Sequence, residues 1–407
     1  MTTMTAILGR VDEGWGAVAD AFRANFERRS ELGAACCVYA DGRPVVDLWG
    51  GAWERDTLAL VFSTTKGVTA LCAHLLVERG ALDLDAPVAD YWPEFAAAGK
   101  DGVPVRWLLS HQAGLPFVDA ALTLDDACAW EPVIRALEAQ PPLWEPGTRH
   151  AYHPVTYGFL VGEVIRRATG MTLGRFLREE VAAPLGLDAW IGLPEEAEHR
   201  VSRLELMPQP IDAAGALTEL FAEQGLDAAA AARAAAKNIE LAADPDSAGA
   251  RGVALGGAFA DWMGAHNSRA VRAAELPATN LVCDARSLAR MYAATVGDVD
   301  GTRLLAPATV EAMCVPQTSR TRPYVEAPEL APLDIPWSLG FMRPSRPMPF
   351  LGPRSFGHGG FGGSVGCADP ESGIGFAYLP NHMAWNPLDF RRAADLLRAV
   401  RATRMPS

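Results

Sequence analysis

The chain has 407 residues, 49% hydrophobic and 21% charged, which is enough apolar material for a large core and excludes a disordered tail or a fibre. Its 49 acidic residues against 36 basic ones give a net charge of −13. That is the wrong sign for a nucleic-acid binder or an anionic-membrane binder, so the expected partner is a small molecule, with oligomeric state left open.

The stretch Met1 to Arg10 has no charged head followed by an apolar run. No later segment approaches the ~18 apolar residues of a membrane span, so a cytoplasmic location is expected. From Trp15 to Arg28, apolar residues at Val18, Ala21, Phe22 and Phe26 have helical spacing. The run AACCVYADGRPVVDLWGG places two apolar segments either side of Asp41-Gly42, which predicts an antiparallel hairpin. From Gly67 to Pro349 the pattern is mainly helical, broken by Pro and Gly: GVTALCAHLLVERG, EPVIRALEAQ, TYGFLVGEVIRRATG, TLGRFLREEVAAPLG and ARSLARMYAATVG. Residues Asp212 to Ala250 are Ala-rich, a composition that favours helix but is equally open to a mobile insertion.

Strand patterns return in FGHGG, GSVGCADP and IGFAYLPN, the last two joined across Asp369 to Gly373, before a closing helix from Leu388 to Arg401. Strands and a helix at both termini around a helical middle predict a split α/β (α+β) domain from residues 1–80 and 265–407. Its antiparallel sheet is flanked by helices, and residues 81–264 form a mainly helical inserted domain. The cleft between them is the default ligand site. The seven cysteines, Cys36, Cys37, Cys72, Cys128, Cys283, Cys314 and Cys367, show no CxxC spacing and read as buried reduced thiols, with no metal site.

Lysine is rare, occurring only at Lys66, Lys100 and Lys237. In Ser63-Thr64-Thr65-Lys66, at the start of a helical run, the two ends fall on one face, so hydroxyl and amine can meet. A bare hydroxyl is a poor nucleophile at neutral pH, and a neighbouring amine with a helix N-terminus activates it. A helix cap followed by a surface lysine gives the same text. Tyr152 follows a Pro-Gly turn and precedes a helix, where its phenol can serve as general base, or can be an ordinary half-buried tyrosine. The segment from Phe356 to Ser364, FGHGGFGGS, is a Gly-rich strand edge against which a substrate can lie, with backbone N–H groups able to bind an oxyanion. The Lys of a phosphate loop is missing, which disfavours nucleotide.

Together, Ser63-Thr64-Thr65-Lys66, Tyr152-His153-Pro154 and His358-Gly359-Gly360 resemble the S-x-x-K, Y-x-N and K-T-G motifs of the serine β-lactamase and penicillin-binding-protein superfamily, in its class C-like branch. ALDLDAPVADYWPEF, LLSHQAGLP, EPGTRHAY and ADPESGIGFAY extend the resemblance over almost the whole chain. The resemblance implies an α/β domain with a helical domain and an acyl-serine intermediate, without metal or organic cofactor. It implies Ser63 as nucleophile, Lys66 as its hydrogen-bonded activator and Tyr152 as the base that later protonates the leaving group. The backbone N–H groups of Ser63 and Phe361 would form the oxyanion hole. His358, in place of the motif's Lys, would hydrogen-bond Tyr152 or tune it, or be a satisfied structural residue. His111 reads as structural.

Two departures bear on substrate. Pro154 replaces the Asn that holds a β-lactam's acylamino side chain, and His358-Gly359-Gly360 lacks the cation and hydroxyl that engage the drug's carboxylate. Both resemble family VIII carboxylesterases and related natural-product acyltransferases. The expected activity is therefore carboxylester hydrolysis through an acyl-serine. The alternatives are acyl transfer to an amine or alcohol, a β-lactamase or D-aminopeptidase activity, or a non-catalytic binding protein.

Overall fold

The structure is a computed structural model and describes residues 5–325 and 327–404. The first four residues of the Met1 to Arg10 stretch and the last three of the 265–407 segment lie outside the described residues. Elements are numbered here as they are introduced, in chain order within each type.

At the centre lies a six-stranded antiparallel sheet of β1 (Ile7–Val11), β2 (Gly33–Ala40), β3 (Arg43–Gly51), β4 (Phe356–Gly359), β5 (Val365–Asp369) and β6 (Ile374–Pro380). The spatial order is β1-β3-β2-β6-β5-β4, so strands from the two chain ends meet where β2 pairs with β6, with Cys36 opposite Tyr378. The hairpins form where the sequence places them, with Asp41 and Gly42 both at positive φ between β2 and β3, as a tight turn of this kind requires.

Side chains alternate across a strand. Cys36 and Val38 of β2, with Phe376 and Tyr378 of β6, enter one apolar cluster with Val18, Phe22, Leu396 and Leu397. Cys37 and Tyr39, with Ala377 and Leu379, enter another with Leu288, Ala289 and Tyr292. Helices α1 (Gly16–Arg28) and α8 (Arg391–Arg404) therefore cover the first face, and α7 (Ala285–Val296) covers the second. Burial on both faces is why β2 and β6 read as continuous apolar runs rather than alternating ones.

Among the connecting helices, α2 (Thr65–Glu78) and α3 (Thr156–Thr169) pack on each other and are buried over most of their length. The Ala-rich segment is ordered helix: α4 (Ala213–Glu223), α5 (Ala228–Ala243) and the short α6 (Ala248–Ala254). Leu217, Leu220, Phe221, Ala231, Ala234 and Ala235 form a small cluster of their own against Leu333, Trp385 and Leu388. All seven cysteines are free, but Cys128 is half-buried rather than buried, because its short helix Leu124–Cys128 lies near the surface. Among the described residues no helix is long and apolar enough to cross a membrane.

Candidate active site

Ser63 sits in a single 3-10 turn, Phe62–Thr64, that runs directly into α2. The residue before it, Phe62, has φ +46, a left-handed conformation that costs a non-glycine residue about 1 kcal/mol. Packing holds it there: the Phe62 ring lies 5.5 Å from Phe361, 5.8 Å from Trp262 and 4.9 Å from His266. Thr65 closes the turn by donating to Phe62 O (2.5 Å) and accepting from Leu281 N–H (2.9 Å). Ser63 is left half-buried while Thr64, Thr65 and Lys66 are fully covered.

One turn of backbone brings Lys66 Nζ to 3.1 Å from Ser63 Oγ, and the same nitrogen lies 3.0 Å from the Ala278 carbonyl. The surface-lysine alternative is thereby removed, because Lys66 is 0% exposed. Taking its ammonium out of water pushes its pKa well below the ordinary lysine value, since burial penalises the charged form. The neutral amine, a proton acceptor, is correspondingly more accessible.

Tyr152 stands beside the same hydroxyl: interaction with Ser63 acts to lower its phenol pKa, and Lys66 Nζ stands 4.8 Å from its ring centroid. Both neighbours of Tyr152 in sequence are gripped. Ala151 N–H donates to His111 O, His153 N–H donates to His111 Nδ1 (3.2 Å), and the His153 ring spans Ala151 O (2.6 Å) and Leu115 N–H (3.1 Å). His153 is thus a fully satisfied structural residue. Burial raises the Tyr152 phenol above its ordinary value, and the interaction with Ser63 offsets only part of that. The phenol offered by the sequence as a general base is therefore one that carries its proton at rest.

The third segment is tied to the first by a buried clamp. Ser364 Oγ donates to Val61 O (2.8 Å) and lies 2.9 Å from Thr64 Oγ1, while Gly360 N–H donates to Ser364 O (2.8 Å). A Cβ at Gly360 would sit 2.2 Å from Val61 O, so only glycine permits this approach. Beyond it lie the backbone N–H groups of Ser63 and Phe361, each in a short 3-10 turn.

His358 does not hydrogen-bond Tyr152. Its Nδ1 is 2.7 Å from Gly359 O, its Nε2 is buried without a partner, and its ring centroid is 6.3 Å from that of Tyr152. Burial, with Lys66 nearby, lowers its pKa to about 3, so it is a neutral group and no substitute for a lysine cation. Gly359 packs its Cα face toward Phe390 and Met348. Pro154 is buried beneath α6: a Cβ at Gly252 would lie 2.8 Å from Pro154 Cδ and 2.9 Å from Pro116 O.

Of three further neighbours, the sequence reading passed over Trp337 and Ala278 and took His111 as structural. Trp337 stacks on the Tyr152 ring at 5.3 Å and 15°; His111 packs between Trp337 and Tyr152 at 4.4 and 5.1 Å; and Ala278 contributes its carbonyl to Lys66. Trp337 carries no motif, and a backbone acceptor carries no residue-type signal at all. Among the described residues, no group of three or more His, Cys, Asp or Glu is arranged to hold a metal ion.

The chain as a whole has counterparts among known proteins. The model of the beta-lactamase family matches residues 18–401. The chain is 35% identical over 387 residues to the esterase/beta-lactamase LipL of Mycobacterium tuberculosis, covering 93% of this chain and 83% of that protein. In structure it is similar to EstA from Arthrobacter nitroguajacolicus (TM-score 0.81, 32% identity, 97% of each chain). It is also similar to a family VIII carboxylesterase (TM-score 0.78, 34% identity, 98% of this chain and all of that one).

Proposed function

Because the chain belongs to the beta-lactamase family, a superfamily of esterase and β-lactamase-type serine hydrolases, we propose that it is a carboxylesterase acting through an acyl-Ser63 intermediate. The observation that carries this reading is the pair of groups beside one hydroxyl: Lys66 Nζ at 3.1 Å from Ser63 Oγ, and the Tyr152 phenol.

In the proposed cycle, neutral Lys66 takes the Ser63 proton as Oγ bonds to the ester carbonyl carbon. The carbonyl oxygen becomes an oxyanion held by the N–H groups of Ser63 and Phe361. As the C–O bond to the alcohol breaks, Tyr152 gives its proton to the departing alkoxide, and Lys66, beside the Tyr152 ring, returns to the phenolate the proton it took from Ser63, whose acylated Oγ has none to give. Water then attacks the acyl-enzyme along the same route. The two burial shifts favour this division of labour: an amine made less basic accepts, and a phenol kept protonated donates.

The substrate we infer is a small or medium uncharged ester. Pro154 offers no side-chain donor or acceptor and is roofed by α6, and His358 presents no charge to a carboxylate. On this reading the cleft lies between the sheet-bearing chain ends, 1–80 and 265–407, and the helical 81–264.

The test is p-nitrophenyl butyrate turnover by wild type and Ser63→Ala, with a chromogenic cephalosporin in parallel and with an alcohol or amine acceptor added. Ser63-dependent ester turnover without cephalosporin turnover supports the reading. Diversion of the acyl group to the acceptor would make the protein a transacylase. Cephalosporin turnover at a comparable rate would make it a lactamase, and failure of a fluorophosphonate to label Ser63 would leave a binding protein.

A further inference from the structure

The oxyanion turn is built from Gly360, Phe361, Gly362 and Gly363, with Gly362 at φ +84 and Gly363 at φ +104. Glycine-rich backbone has little rigidity of its own, so its geometry has to be imposed from outside. The Ser364 clamp does so on the side facing Ser63. On the other side Gly363 N–H donates to Gly360 O (3.0 Å) and the Gly362 carbonyl, which points into the body of the protein, accepts a long bond from Ala384 N–H (3.4 Å).

That carbonyl is met by Arg392 of α8. Its Nη2 donates to Gly362 O (2.7 Å) and to His382 O (2.6 Å), so one guanidinium nitrogen staples the turn to the chain beyond β6. Its Nη1 donates to Glu31 Oε1 (2.7 Å), and the other Glu31 oxygen accepts from the Tyr378 hydroxyl. Both charged side chains are buried, 5% and 0% exposed. Buried ion pairs are weak contributors to stability once desolvation is counted, and apolar residues of similar volume often do as well. Here the fork reaches two loop carbonyls that an apolar side chain cannot hold.

We propose that Arg392, oriented by Glu31, is a positioning residue that fixes the Gly360–Gly363 turn and thereby the placement of the Phe361 N–H for the oxyanion. The proposal rests on the acyl-Ser63 reading. It assigns the pair no contact with substrate; its effect passes through the backbone of the turn.

Arg392→Lys, Glu31→Gln and, as a control, Glu163→Gln are compared in the full chain. Glu163 is another buried carboxylate, on α3, bound to Trp130, Arg166 and Arg167. The readouts are kcat and KM for p-nitrophenyl butyrate, the inhibition constant of phenylboronic acid, which forms a tetrahedral anion on a reactive serine, and Tm. For Arg392→Lys, kcat is expected to fall on the order of tenfold or more at nearly constant KM, the scale of a displaced oxyanion donor. Boronate affinity is expected to fall by a similar factor. Glu31→Gln is expected to move both in the same direction by less, and decides the matter should Arg392→Lys not fold. Glu163→Gln is expected to lower Tm with kcat within about twofold of wild type.

Folded Arg392→Lys and Glu31→Gln with wild-type kcat and boronate affinity would overturn the proposal. So would a Glu163→Gln loss of kcat as large as theirs. If the acyl-Ser63 reading itself were wrong, Ser63→Ala would still turn over the ester, a result no Arg392 variant can imitate, and the proposal would fall with it.

Discussion

Helices α2 and α5 are of similar length and share nothing else. Helix α2 is covered on every side, from Thr65 to Leu76, and its polar groups are spent on specific partners: Thr69 on Pro277 O, His74 on Leu339 O and Lys66 on Ser63 and Ala278. Helix α5 buries only Ala231, Ala234 and Ala235. It starts on an Asp227 cap and is held to the body by a few bonds, among them Asn386 to Asn238. One helix is made by its surroundings and the other by its own composition. The difference teaches where chemistry can sit. A hydroxyl, an amine and a phenol keep one geometry only if every neighbour is fixed, and the α2 wall supplies that, whereas the roof, the Ala-rich α4, α5 and α6 that meet Pro154 through Gly252 of α6, supplies none of these groups.

The sharpest way to break that contrast is to remove groups from the wall. Ser63→Ala is expected to abolish turnover, a loss on the order of 10³-fold or more in kcat, with the fold and Tm retained; residual activity near wild type would unseat the nucleophile. Lys66→Ala and Tyr152→Phe are each expected to cost on the order of 10²-fold in kcat. The double variant should be little worse than either single one, because the two act on one oxygen. Multiplying losses would mean that they serve separate steps.

Acid discriminates the two regions next. Burial lowers the pKa of His74, His153 and His266 to about 4 and that of His358 to about 3, while residues 212–254 contain no histidine. These imidazoles take up protons on unfolding below their ordinary value near 6.5 but resist them in the folded state. Their contribution is therefore complete above about 6.5 and is lost as pH falls toward 4. Glu31, raised to about 7, acts with the opposite sign: its contribution is full below 4.5 and is lost as pH rises through 7. His111 is lowered like the other imidazoles and Asp284 raised like Glu31, so five imidazoles outnumber two carboxyls and Tm should fall between pH 6.5 and 4.5. In hydrogen exchange, α2 and α3 should lose protection while local opening of α5 stays unchanged. Equal loss in α5 would show that the roof is no separate unit.

His358→Ala comes lower in the scale. The ring hydrogen-bonds neither Ser63 nor Tyr152, and it is neutral, so kcat should change by less than about tenfold. The pH–rate profile should keep its shape near neutrality. A loss matching Ser63→Ala would make this imidazole a catalytic group.

Legibility in the sequence followed the same division. Ser63, Lys66 and Tyr152 were readable because their chemistry resides in residue type at a fixed spacing. The Asp41-Gly42 hairpin was readable because a tight turn needs positive φ. Strand β1 was missed: as an edge strand with Leu8, Gly9 and Arg10 exposed, it has no apolar alternation to detect. Ala278 O, His111 and Trp337 were not readable as parts of the site, since they act through backbone, ring packing or long-range approach. The Arg392–Glu31 pair spans 361 positions and has no local signature. Of the roles left open for His358, a bond to Tyr152 is not formed: Nδ1 is taken by the carbonyl of the next residue and the buried Nε2 has no partner. For residues 212–250, composition left helix and mobile insertion open, and what decides is the apolar stripe of Leu217, Leu220 and Phe221 meeting Trp385 and Leu388.

The smallest expected effect tests whether the roof belongs to the site at all. At Gly252 an added Cβ would meet Pro154 Cδ and Pro116 O below 3 Å. Neither a proline ring nor a carbonyl yields readily, so Gly252→Ala must lift α6 slightly. Tyr152 is held by His111 and by the His153 backbone and ring, none of which runs through α6. The expected result is faster hydrogen exchange across residues 213–254, a Tm lowered by only a few degrees and ester kcat within about twofold of wild type. If kcat instead falls as far as in Tyr152→Phe, the roof presses the phenol into place through Pro154, and catalytic geometry in this protein depends on the Ala-rich insertion as much as on α2.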